Sequence, residues 1–332
     1  MIPQVRKLAT HESFTTHLRS LGLDLPVDKT VESDGALARS ITIRDGSAGD
    51  LHVPNRFAIL PMEGWDGTPD GRPTDLVRRR WQRFAGGGAG LVWAEATAVC
   101  HEGRANPHQL QIDASTARQL AELRSTFNRG QVVGLQLTHS GRYSRPDGSP
   151  APRSAYRHPL LDGPSGASDE ALMTDGELDD LVGVFVDRAV LAGEAGFDFV
   201  DVKACHGYLG HELLTAFDRP GPYGGGFVNR TRFMRSVIEG IRDAAPGLAI
   251  GVRLSVFDSV PYVPDADGRG VPATAAGEPY RFAFGADGHG RGVDLREPLA
   301  LVDMLRSLGV GLLCTTAGSP YYCPHVQRPA FF

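Results

Sequence analysis

The 332-residue sequence predicts an α/β fold built on a parallel sheet, and three observations predict it. Short apolar runs rich in Val, Ile, Leu and Phe alternate with longer helical patterns, the signature of repeated βα units. Most of those runs follow a glycine, where a helix C-terminus needs a left-handed residue before the chain reverses. Each run then ends on a polar or otherwise unusual residue.

The residues up to about Asp50 show no such alternation and read as an N-terminal extension. From Asn55 onward six runs are expected as strands: Phe57 to Leu60, Leu91 to Ala94, Val132 to Leu137, Phe197 to Val202, Ala249 to Leu254 and Gly311 to Cys314. The preceding glycines are Gly90, Gly130, Gly196, Gly247 and Gly309. Between the runs, apolar stripes at helical spacing appear in Val77, Trp81, Phe84 and Ala85, in Leu178, Leu181, Val182 and Phe185, and in Leu301, Val302 and Leu305. Thr174 with Glu177 reads as a capping box opening the second of these helices. Residues 257–293, rich in Pro, Gly and Asp, lack periodicity and are expected to be an irregular insertion, of the kind that often forms a lid.

Composition narrows the function. A hydrophobic content of 41% suffices for a full core. The net charge of −5, without a basic run, favours neither nucleic acid nor an acidic membrane surface. No stretch approaches the length of a bilayer span, and Met1 to Ser20 has no apolar core segment, so a cytoplasmic protein acting on a small molecule is expected. Cys100, Cys205, Cys314 and Cys323 lack paired metal-site spacing and are expected to be reduced thiols, with no metal. Homo-oligomerisation is left open.

The strand-end series is Pro61-Met62-Glu63, Glu95, Gln136, Lys203, Arg253 and Thr315-Thr316. In a (β/α)8 barrel the C-terminal strand ends form the floor of the active site, so the series describes a polar pocket. Any one position has about even odds of being polar merely because strands leave the core there. Taken together, the Gln136 amide beside the cations Lys203 and Arg253 suits an anionic or electron-accepting ring. Lys203 stands out because the only other lysines are Lys7 and Lys29.

Six motifs in order carry a resemblance: Asn55-Arg56-Phe57-Ala58-Ile59-Leu60-Pro61-Met62, Gly87 to Ala96, Gln136-Leu137-Thr138-His139-Ser140-Gly141-Arg142, His206-Gly207-Tyr208-Leu209, Tyr223-Gly224-Gly225 with Asn229-Arg230, and Gly251-Val252-Arg253-Leu254-Ser255. From Asn55 to about Ser319 the chain resembles the Old Yellow Enzyme family of FMN-dependent NAD(P)H oxidoreductases. The resemblance implies a TIM-type (β/α)8 barrel, here over residues 51–332 with about six units and without the last two. It also implies FMN as cofactor, NADH or NADPH as reductant, and reduction of an activated C=C of an α,β-unsaturated carbonyl compound.

By the same resemblance Pro61 and Met62 line the flavin, Ala96 lies against it, Gln136 bonds its pyrimidine edge and Arg253 sits near its N1–O2 edge. His206 matches one member of the family's substrate-oxygen donor pair and Tyr208 the proton donor. Lys203 replaces the other donor, and Glu63 stands where the family more often has Thr or Cys. Two alternatives stand for Glu63: pointing into the site, where its charge would lower the flavin's potential, or pairing with Lys203 across the pocket, each offsetting the other's desolvation. Alternatives remain: a flavin-dependent amine or alicyclic dehydrogenase, a Schiff-base lyase using Lys203, or an inactive truncated remnant.

Overall fold

A computed structural model describes residues 3–46 and 48–327. Its centre is a six-stranded, all-parallel sheet: β3 (Ala58–Ile59), β4 (Leu91–Ala98), β5 (Val132–Thr138), β6 (Phe199–Val202), β7 (Ala249–Phe257) and β10 (Leu312–Ala317). Each is hydrogen-bonded to the next in that order. They are successive strands of an incomplete (β/α) barrel and correspond to the six expected runs.

The helices form as their stripes require. The helix Asp75–Gly86 is capped by Thr74 and buries Val77 and Trp81. Asp175–Glu194 opens with the Thr174–Glu177 capping box and buries Leu178, Leu181 and Phe185. Phe185 meets Phe233 of the helix Arg232–Ala244 edge-on at 5.6 Å. Arg296–Ser307 buries Leu301 and Leu305. A second cluster fills the concave side of the sheet, where Trp93 packs edge-on against Phe199 at 5.0 Å. Gly134 makes room for it, since a Cβ there would lie 2.1 Å from the Phe199 ring.

The glycine expectation needs correction. Gly196 and Gly309 do adopt positive φ, 88° and 77°, but Gly90, Gly130 and Gly247 do not. Before β4 the left-handed residue is Gly88, at φ 78°. Gly90 is required for a steric reason instead, because its Cβ would lie 2.8 Å from the Asn55 carbonyl oxygen.

The N-terminal extension carries the helix His11–Ser20 and an antiparallel hairpin, β1 (Ile41–Asp45) and β2 (Gly49–Val53), which runs past residue 50. Within 257–293, β8 (Tyr262–Pro264) pairs with β9 (Gly270–Pro272), and Val260, Tyr280 and Ala283 make a small core. Among the described residues no helix is long and apolar enough to cross a membrane.

Asp45 fastens the hairpin across the N-terminal strand ends. Its carboxylate accepts from both terminal nitrogens of Arg242 and from the amides of Ile250 and Ala48. Gly46 N–H donates to Gly309 O at 2.8 Å alongside. Burial alone would raise the Asp45 pKa, but Arg242 and the two amides hold it below the usual carboxylate value.

Replacing Asp45 by Ala takes the carboxylate away from the largely buried Arg242, which keeps its bond to Gly309 O, and should cost about 3–5 kcal/mol in urea unfolding. A depressed pKa stabilises the fold above the unfolded value. The Asp45 contribution is therefore present in full at neutral pH and fades as pH falls below about 4. Acid titration of the wild type, compared with the Asp45→Ala variant, should show that component missing from the variant.

Candidate active site

At the C-terminal strand ends lies a cavity of about 510 Å³ lined by Pro61, Met62, Glu63, Trp65, Gln136, Lys203, His206, Tyr208, Arg253, Pro320, Tyr321 and Gln327. Eight of the nine residues singled out in the sequence meet there. The ninth, Ala96, is buried on β4 opposite Gln136 but does not line the cavity.

Glu95, part of the strand-end series, also lies elsewhere. The β4–β5 register passes from Ala94↔Leu135 to Ala96↔Gln136, so Glu95 is the extra residue of a bulge. Strict alternation from Trp93 would aim Glu95 at the pocket. It instead accepts from Trp81 Nε1 at 2.9 Å and Arg80 Nη2 at 2.6 Å, on the helix-covered side.

Beneath the cavity sits a carboxylate that the sequence reasoning missed. Asp201 of β6 is fully buried and accepts from Trp93 Nε1 at 2.8 Å, from the backbone N–H of Arg253 at 2.6 Å and from Gln136 Nε2. Burial raises its pKa, against the opposing effect of these donors. An acid within the apolar run Phe197–Val202 was the available signal, because a buried charge demands partners. With the Gln136 nitrogen held by Asp201, the carbonyl oxygen is the part of that amide left to accept from a ligand. Arg253 donates Nη1 to Pro61 O at 2.8 Å, and its buried Nε has no partner among the described residues.

Lys203 Nζ lies 2.9 Å from Glu63 Oε1 and 4.0 Å from the Tyr208 ring centroid. Glu63 Oε2 in turn accepts from Trp65 Nε1 at 2.6 Å. The pairing between Glu63 and Lys203 is present, with Trp65 added.

His206 and Tyr208 stand on the turn after β6. His206 has φ 64° and Gly207 φ 79°. The His206 N–H donates to Ser255 Oγ at 3.1 Å, and its carbonyl accepts from Ser319 Oγ at 2.9 Å. Burial, reinforced by the charges of Lys203 and Arg253, lowers the His206 pKa to about 2, so the imidazole is neutral. Tyr208 hydrogen-bonds Tyr321 hydroxyl to hydroxyl at 3.0 Å. Burial first, then the Glu63 charge, keeps the Tyr208 phenol protonated far above neutral pH.

Pro320, Tyr321 and Gln327 were also missed, since no spacing announces a wall supplied from beyond the last strand. Tyr321 stacks on Tyr143 at 4.0 Å and 9°. Its neighbours Tyr322 and Cys323 are anchored to Asp258, at 2.5 and 3.2 Å.

Whether a flavin suits these residues can be judged from their donors. A guanidinium, an amide oxygen and a protonated phenol around one cavity fit the polar edge of an electron-accepting ring.

Comparison with known proteins agrees. The family model described as "NADH:flavin oxidoreductase / NADH oxidase family" matches residues 47–275. The NADPH dehydrogenase of Geobacillus sp. (strain WCH70) is 32% identical over 216 residues, covering 63% of this chain and 61% of the relative. That of Bacillus subtilis (strain 168) is 32% identical over 214 residues, covering 63% and 62%. The match thus spans about three fifths of the length of these curated relatives. Among solved structures, a 2-naphthoyl-CoA reductase complex has TM-score 0.65 at 19% identity, covering 86% of this chain and 41% of that one. Morphinone reductase has TM-score 0.61 at 24% identity, covering 86% and 72%. These two show the shared fold. With more than half its length matched by the family model, the chain belongs to the NADH:flavin oxidoreductase / NADH oxidase family.

Proposed function

We propose that the chain is an FMN-dependent oxidoreductase that takes electrons from NADH or NADPH and reduces the activated C=C of an α,β-unsaturated carbonyl compound. The observation that carries this reading is a protonated Tyr208 hydroxyl in the same cavity as the Arg253 and Gln136 side chains. Bound FMN would supply hydride transfer. Pro61, Met62, Gln136 and Arg253 would hold it, with Arg253 offering charge-assisted donors to its polar edge.

Around the substrate, Lys203 and His206 hold the activating oxygen. An ammonium has three donors, and Glu63 engages one of them. A neutral His206 contributes directed hydrogen bonding without a third positive charge beside Lys203 and Arg253. Tyr208 gives its proton to the carbon next to the carbonyl, and Tyr321 is placed to re-protonate it through the 3.0 Å contact.

The rival readings lose ground on geometry. An amine engaged by a carboxylate at 2.9 Å is not the free nucleophile that imine formation needs. Glu63, the carboxylate that could receive a cationic amine substrate, is already spent on Lys203 and Trp65.

The purified 332-residue chain should retain FMN, and a colourless protein that binds none would sink this reading. In the loaded protein, Tyr208→Phe should slow re-oxidation by cyclohexenone by roughly 10²–10⁴-fold, while bleaching by NADPH proceeds at the wild-type rate. A separate reductive dye titration tests the ion pair. Glu63→Gln removes a negative charge and leaves Lys203 uncompensated, so the flavin potential should rise. An unchanged potential would remove Glu63 from the flavin's surroundings.

A further inference from the structure

Outside this cavity, the loop after β4 and the end of β5 bring together Cys100, Glu102 and His139, whose ligating atoms all lie within 4.8 Å of one another. His139 is 2% exposed, and its Nε2 has no hydrogen-bond partner among the described residues; Glu102 Oε1 is 3.9 Å away. The Gly103 backbone packs against one edge of the ring. Gly103 lies so close that a Cβ there would be 2.6 Å from His139 Cδ2, and Gly103 O accepts from Ser140 N at 2.8 Å.

The protonation of that ring decides what the cluster can do. His139 Nδ1 accepts from the Gly141 amide at 3.1 Å, which in a neutral ring puts the proton on Nε2. The Gly141 N–H aimed at Nδ1 disfavours a second proton there. The Nε2–H therefore belongs to a cluster whose ligating atoms lie within 4.8 Å of one another, and in this tautomer Nε2 offers no lone pair to a metal ion. Glu102 is drawn aside by Arg153, whose Nε lies 3.3 Å from Glu102 Oε2.

We propose that Cys100 is a peroxide-reactive thiol site, with His139 Nε2–H stabilising the thiolate. Reactive cysteines are partly exposed and lie beside such donors, whereas buried ones are inert. Cys100 is half-buried, while Cys205, Cys314 and Cys323 are buried. In the reaction, the thiolate sulfur attacks one oxygen of hydrogen peroxide and the O–O bond breaks. Sulfur is oxidised by two electrons to a sulfenic acid. The departing hydroxide takes up the proton that left the thiol and becomes water.

The test treats the full 332-residue chain with hydrogen peroxide in the presence of dimedone and follows each cysteine peptide by mass spectrometry, in buffer and in urea. Native Cys100 should be labelled about tenfold faster than Cys205, Cys314 and Cys323, and faster than Cys100 in urea, where its surroundings are dispersed. His139→Asn keeps an acceptor for the Gly141 amide, but its shorter amide places no N–H at the Nε2 position, so it should bring the native Cys100 rate down to the urea rate. His139→Gln, which restores an N–H donor, should recover part of it. A native rate no faster than the urea rate overturns the proposal, and so does stoichiometric zinc in the purified protein. If His139→Asn fails to fold by circular dichroism, the native-against-urea comparison decides alone.

Discussion

One carboxylate holds the working end of the sheet together. Asp201 draws an indole N–H from β4, an amide from β5 and a backbone N–H from β7 onto a single strand. Four consecutive strands thereby share one buried anion, and breaking any contact leaves a polar group stranded in low dielectric. The same anion sets the orientation of Gln136, because only one end of that amide can satisfy it. The polarity shown to a ligand is therefore fixed one layer below the cavity floor.

Charge within the cavity is arranged in matching pairs. Glu63 offsets Lys203, and Arg253 lies above the layer of Asp201, to which its own backbone N–H donates. With those cations in place, His206 cannot also charge, since like charges in a buried site raise one another's cost. Its neutrality follows first from burial and then from the charges of Lys203 and Arg253, and Lys203 is, with Glu63, one of the two residues by which this site departs from the family pattern.

The strands and helices were legible because periodicity reports which face is buried. The Thr174–Glu177 box and the Trp81 stripe needed only local spacing. Glu95 was misassigned to the pocket for the same reason, as a bulge inserts one residue and reverses the side that period-two counting assigns. The glycine pattern was legible as punctuation but not as conformation, because Gly90 answers to the Asn55 backbone and not to a helix end. Pro61 and Tyr208 were singled out through their motifs, and Glu63 and Lys203 through the polar residues that end the strands. Tyr321 and Gln327 were not, since their place depends on Asp258 gripping Tyr322 and Cys323 from a segment that has no period.

That last wall carries a consequence for biosynthesis. Tyr208 and its phenolic partner Tyr321 are 113 positions apart. A chain emerging from the ribosome at about 5–20 residues per second exposes the turn bearing Tyr208 for several seconds before Tyr321 can reach it. During that interval the cavity lacks the wall formed by Pro320, Tyr321 and Gln327. Folding of this end is thus a late, non-local event, and the nascent protein's exposure to chaperones falls in that window.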